Sequence, residues 1–151
     1  MKNLFETATA AEIQGRLAQL KSDTPRLWGK MTAAQALAHC SRGLRMALGD
    51  RSVAPAPLPI RLLGRIIKPW AIGDEKPFRR NSPTAKELVV VDDRDLTAER
   101  EALSAMIERF AVGGPACCTA NPHPFFGKLT PAEWSILMYK HLDHHLRQFG
   151  V

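Results

Sequence analysis

Two histidines near the end of the chain, His141 and His145, have a spacing that could bind a metal ion. Residues 130–149 predict a helix, because a threonine, a proline and a glutamate at its start match the preferences of a helix N-terminus. Side chains four residues apart share one helix face, with Cβ atoms about 5–6 Å apart. Both imidazoles can therefore reach one ion at about 2.0–2.1 Å. The alternative is that each ring bonds a backbone carbonyl or a buried water.

His39 is the candidate for a third ligand, because it lies on a second helix predicted over residues 32–48. Thr32 and Gln35 form a capping box at the start of that helix. Metal sites in helix bundles are built from side chains on facing helices, so we expect His39, His141 and His145 to converge, with ring nitrogens within about 5 Å. Three histidines with open coordination positions describe a catalytic zinc site, and zinc or nickel is the expected divalent metal.

Other residues near the last helix are candidates for a pocket around this site. The segment NPHPFF, residues 121–126, leads into the helix and is expected near the mouth of the site. His123 is either a pocket residue or a loop-packing residue, and Trp134 and Met138 are further pocket candidates.

The HExxH motif of metalloproteases is excluded, because Leu142 follows the first histidine. No catalytic acid or base can be assigned.

The apolar pattern predicts four main helices, at residues 9–21, 32–48, 96–111 and 130–149. A capping box of Thr9 and Glu12 is expected for the first. Prolines between residues 50 and 84 forbid a continuous helix there and leave a long crossover with one short helical piece at residues 60–68. Residues 88–91 are a short strand or simply extended. We therefore expect an all-α four-helix bundle with long crossover connections and a short extra helix, forming one domain over residues 1–151.

Composition narrows the class of protein. With 45% hydrophobic and 24% charged residues the chain is globular, and no apolar run is long enough to span a membrane. Three cysteines, two of them adjacent, indicate reduced thiols. Glu6 and Glu12 do not fit a signal peptide, which favours a cytoplasmic protein without membrane contact. The net charge of +6 permits nucleic-acid binding, but the basic clusters lack stacking aromatics and better fit a solvated face or an anion-attracting pocket rim.

Three segments give the chain a family resemblance: WGKMTAAQALAHC at residues 28–40, SPTAKELVVVDDRDL at residues 82–96, and HPFFGKLTPAEWSILMYKHLDHHLRQFG at residues 123–150. Together they resemble an uncharacterised bacterial branch of the DinB-like superfamily. The resemblance implies a four-helix bundle with an atypical left-handed connection. It also implies a divalent metal held by one histidine of the second helix and an HxxxH pair of the fourth, which match His39, His141 and His145.

These observations lead to three functional hypotheses. The first is a small metal-dependent enzyme acting on a small molecule, as a hydrolase or as a thiol S-transferase like characterised relatives of the resembled superfamily. The second is a non-catalytic bundle serving as a binding or dimerisation module. The third, a nucleic-acid-associated protein, has only the net charge and the superfamily's damage-inducible name in its favour. We expect a small-molecule ligand and a homodimer as partners.

Overall fold

The structure is a computed structural model that describes residues 1–74 and 76–151, which form helices and no strand. The all-α prediction is confirmed. The helices are α1 (Thr7–Ala18), α2 (Ala33–Leu48), α3 (Leu58–Ile72), α4 (Leu96–Gly113) and α5 (Pro131–Gln148). Two short 3-10 helices, Lys86–Leu88 and Gly114–Cys117, lie in the connections. None of the helices in the described ranges has both the length and the apolar character needed to cross a membrane.

Four of the helices surround one hydrophobic core. Helix α1 packs against α4 and α5, and α2 packs against the same two helices, so that α1 and α2 stand diagonally across the bundle. Helix α3 lies outside this group and packs against α5. The largest fully buried side chains include Leu44 of α2, Phe110 of α4 and Trp134 of α5. The connection from α2 to α4, which contains α3, thus lies on the outside of the four-helix group.

The N-termini of α2 and α5 have the capping residues that the sequence predicts. Thr32 and Gln35 form a reciprocal capping box at α2, and Thr130 and Glu133 form another at α5. The capping box predicted for the first helix is wrong. Thr9 is buried inside the first turn of α1 and donates its hydroxyl hydrogen bond to Glu6 over 2.9 Å, so the helix begins two residues earlier, at Thr7.

The crossover contains more helix than the sequence indicates. Helix α3 extends the expected piece at residues 60–68 in both directions. Pro59 stands in the first turn, where a missing N–H is harmless, and Pro69 stands in the last turn. Residues 88–91 form no strand; after the 3-10 turn at Lys86–Leu88 the chain runs extended.

Candidate metal centre

Side chains of α2 hold the returning crossover in place beside the bundle. Gln35 Nε2 donates to the carbonyl of Asp92 over 3.2 Å, and Arg42 Nη1 donates to the carbonyl of Val89 over 2.6 Å. Between them, His39 Nδ1 lies 2.8 Å from the carbonyl oxygen of Leu88. Residues 35, 39 and 42 share one helix face, so their three side chains form a ladder along the crossover. The ladder fixes the orientation of the His39 ring.

The contact with Leu88 determines which nitrogen of His39 is available. A carbonyl oxygen can only accept, so the His39 Nδ1 must carry the hydrogen and donate it. The lone pair is then on Nε2, which points into the bundle toward α5. There it lies 2.8 Å from His141 Nε2.

His145 is oriented in the same way by a side chain at the end of α5. Its Nδ1 lies 2.8 Å from Gln148 Oε1, while Gln148 Nε2 donates to the carbonyl of Trp28 over 2.8 Å. Because the Trp28 carbonyl can only accept, the amide must present its oxygen to the imidazole. The His145 Nδ1 therefore donates, and its Nε2 carries the lone pair. Gln148 was not singled out in the sequence, although its position three residues after His145 places it within reach on the helix.

His141 completes the group, and a glycine makes room for its ring. A Cβ atom at Gly43 of α2 would lie 3.0 Å from His141 Nδ1. The ring centroids of His39, His141 and His145 are 4.8 to 5.0 Å apart, and the planes are inclined at 71° to 80°. One ligand atom from each residue lies within 4.8 Å of the others. The structure thus brings together the three histidines chosen from the sequence.

The distances between the three ligand nitrogens would suit one metal ion after a small rotation of the side chains. Two bonds of about 2.1 Å span at most about 4.2 Å, so a pair separated by more than this must rotate inward by less than about 1 Å. The Nε2 atoms of His39 and His141 are 2.8 Å apart, the distance of a hydrogen bond. An ion held by both residues would take the place of that contact.

Burial keeps the three imidazoles neutral, which is the form that binds metals. Removal from water lowers the pKa of His39, lowers that of His145 to about 3, and lowers that of His141 well below its ordinary value. His141 keeps some solvent contact, although packed atoms surround its ring. Within the described ranges the group contains no carboxylate. A divalent ion would therefore keep its full positive charge and favour an anionic further ligand.

An aromatic and cationic rim lies beside the group. The ring of His144 is 5.8 Å from that of Trp28 and 6.1 Å from that of Phe78. The guanidinium of Arg80 stands 4.3 Å from the centre of the Trp28 ring. Burial lowers the pKa of His144, opposed by a hydrogen bond to the Phe78 backbone. Aromatic rings and one guanidinium thus lie around His144, whose ring is 5.1 Å from that of His145.

The three residues predicted to line a pocket, His123, Trp134 and Met138, pack against a loop or in the core. His123 Nδ1 accepts hydrogen bonds from the backbone N–H groups of Phe125 and Phe126, each over 3.1 Å, and so stabilises its own loop. Its ring lies 5.5 Å from that of Trp134. Trp134 and Met138 are core residues, 1% and 3% exposed. His123 therefore has a loop-packing role, and a part for these three residues in a pocket stays a prediction.

The fold and the site define an all-α protein with a buried three-histidine group able to hold a metal ion. The sequence model of a family described as proteins of unknown function, DUF1569, matches residues 4–150. The chain belongs to this family. No curated protein and no solved structure matches the chain.

Proposed function

We propose that the chain is a small metal-dependent enzyme acting on a small molecule, with zinc or nickel held by His39, His141 and His145. The observation that carries the proposal is the orientation of the rings. His39 and His145 each donate through Nδ1 to a fixed oxygen, which turns both Nε2 lone pairs toward the centre of the group. Such partners on the outer nitrogen are typical of metal-binding histidines, because they fix the tautomer and raise the basicity of the ligand.

The reaction class that fits is hydrolysis or thiol S-transfer. A divalent ion in this group would supply Lewis-acid chemistry to a water, thiol or carbonyl group. Three neutral protein ligands leave room for an anionic substrate atom, and Arg80 offers a nearby positive charge for the rest of the molecule. The resemblance to the DinB-like superfamily supports the same histidine set and the thiol alternative.

Metal loading of tag-free protein tests the proposal. After incubation with zinc or nickel and removal of free ion, elemental analysis should find one ion per wild-type chain. His145→Ala should abolish stoichiometric uptake while the bundle stays folded, because a domain of this size has core enough without a structural ion. His123→Asn is the matched control: it removes a buried imidazole outside the group and should leave the stoichiometry unchanged. A wild-type chain that takes up neither metal would overturn the proposal.

A second experiment separates an enzyme from a bundle that binds metal without chemistry. Cobalt(II) can replace zinc in such sites and has a visible spectrum that reports its coordination. Addition of a low-molecular-weight thiol should produce a sulfur-to-cobalt charge-transfer band if a coordination position is open to substrate. A spectrum unaffected by thiols and by small anions would favour the non-catalytic alternative. That alternative is also supported by the exposed apolar face of α3, which suits a binding module.

A further inference from the structure

Helix α3 exposes a continuous apolar stripe to solvent. Leu58, Leu62, Ile66 and Trp70 recur every four residues and are 64%, 51%, 62% and 66% exposed. Leu63 lies beside them and is also half exposed. At a rise of about 1.5 Å per residue, the stripe runs for about 18 Å along the helix. Scattered exposed aliphatic residues need no explanation, but an aligned set of this size marks an interaction surface.

The opposite face of α3 is fixed to the bundle, so the stripe cannot turn inward. The helix approaches the loop at Phe125 so closely that a Cβ atom at Gly64 would overlap the carbonyl oxygen of Phe125. Lys68 Nζ donates to the carbonyl of Lys128 over 2.9 Å and pairs with Glu133 over 2.7 Å. Ile72 is buried in the core. The stripe therefore faces outward while the opposite face of α3 is held against the bundle.

We propose that a second copy of this chain covers the stripe, with α3 packed against α3 of the partner across a two-fold axis. Aromatic side chains have areas of about 150–250 Å² and aliphatic ones less, so the five exposed ones present on the order of 500 Å² per chain at most. A symmetric pair buries this area at most twice, or about 1,000 Å². Specific interfaces begin at about 1,200 Å² in total, so residues around the apolar centre must supply the rest.

An antiparallel pairing makes the stripe self-complementary. With the two-fold axis level with Gly64, Leu58 of one chain lies opposite Trp70 of the other, and Leu62 lies opposite Ile66. The stripe contains no charged residue, while Arg61 and Arg65 lie outside it, as expected for an interface with an apolar centre and a polar rim. None of the three histidines lies in α3, so the proposed interface uses no metal ligand.

An anionic membrane surface fits the same helix less well. Such surfaces attract basic residues that border the apolar face of an amphipathic helix. In α3 the ammonium group of Lys68 is already paired with Glu133 and faces the bundle. Only Arg61 and Arg65 remain in the helix for lipid headgroups. Two charges add little to the membrane affinity of a single helix.

Analytical ultracentrifugation of the full, tag-free chain over a range of concentrations tests the proposal. The wild-type chain should sediment with twice the mass of one chain. Ile66→Asp should raise the dimer dissociation constant at least about 100-fold, because it places a buried charge twice in each symmetric interface. The control is Val112→Asp, which changes an aliphatic residue of α4 that is 83% exposed and should leave the dimer intact. Far-ultraviolet circular dichroism checks that both variants keep their helices.

Three outcomes would overturn the proposal. The first is a wild-type chain that is monomeric at every concentration. The second is a dimer that persists in both Ile66→Asp and Leu62→Asp, which would place the interface elsewhere. The third is flotation of the wild-type chain, lost in Ile66→Asp, with vesicles of phosphatidylglycerol and phosphatidylcholine, which would assign the stripe to a membrane.

Discussion

The imidazole of His145 depends on a residue that would not bind the metal itself. Gln148 Oε1 accepts a hydrogen bond from His145 Nδ1. The orientation of the Gln148 amide is fixed in turn by its hydrogen bond to the carbonyl of Trp28. The equivalent partner of His39 is the backbone carbonyl of Leu88, which substitution cannot remove. Gln148 is therefore the position where the orientation of one ligand can be tested without deleting the ligand.

Gln148→Leu should weaken zinc binding about 10–100-fold, because His145 loses the acceptor that fixes its tautomer. Competition against a chromophoric zinc chelator measures the affinity. Gln19→Leu is the control, since Gln19 is an exposed amide at the end of α1, remote in sequence from the histidines. Equal affinities for wild type and both variants would show that the amide does not orient the ligand.

At the scale of the elements, the contact between α2 and α5 is set by the space that Gly43 leaves. A Cβ atom there would lie 3.0 Å from His141 Nδ1 and 3.1 Å from its Cε1. These distances are shorter than an ordinary van der Waals contact, so the imidazole would have to move by a few tenths of an ångström. The glycine is thus part of the geometry of the histidine group.

Gly43→Ala should lower zinc affinity by displacing His141, although alanine is favoured over glycine in a helix by about 0.8–1.0 kcal/mol. Gly15→Ala in α1 is the matched control, because nothing lies within 4 Å of a Cβ atom at that position. It should raise the free energy of unfolding by up to about 1 kcal/mol and leave zinc affinity unchanged. Urea denaturation and zinc competition measure the two quantities. Unchanged zinc affinity in Gly43→Ala would show that the His141 ring accommodates a Cβ atom at position 43 without leaving the metal site.

The sequence predicted elements better than it predicted the partners of side chains. The N-termini of α2 and α5 were predicted correctly, because capping by Thr32 and Thr130 depends only on residues close in sequence. The start of α1 was missed, since Thr9 is turned inward by burial that depends on the other helices. The convergence of the histidines could be expected from helix periodicity. The groups that orient their rings could not be predicted. The Leu88 carbonyl, which accepts from His39, and the Trp28 carbonyl, which holds Gln148, belong to connectors whose path is a tertiary property.

Across the whole molecule, each of the five histidines has a pKa below its ordinary value, and the main cause in each case is removal from water. For His123 and His145 the pKa values are about 4 and about 3. The unfolded chain binds protons on these residues below pH of about 6.5, where the folded chain does not. Folding is therefore coupled to pH through residues at two separate places in the bundle.

The metal-free chain should lose stability as the pH falls from neutral. Because the folded pKa values are lowered, the stabilisation is complete above about pH 6.5 and is lost progressively toward the folded pKa values. Between about pH 7.5 and pH 5, His123 and His145 alone should reduce the free energy of unfolding by about 4 kcal/mol, shared equally. Urea denaturation at each pH, after dialysis against a chelator, measures this. A free energy that stays constant over the interval would contradict the lowered pKa values.

His123→Asn isolates one of these contributions away from the metal group. The asparagine oxygen can stand in for Nδ1 and accept the hydrogen bonds from the backbone of Phe125 and Phe126, but it does not bind a proton in this range. The variant should therefore lose about 2 kcal/mol less than the wild type between about pH 7.5 and pH 5. As the pH falls, the free energy of unfolding of the wild type should drop relative to that of the variant, so the two curves should have different slopes. Parallel curves would show that His123 has the same pKa in the folded and unfolded chains and would contradict the prediction.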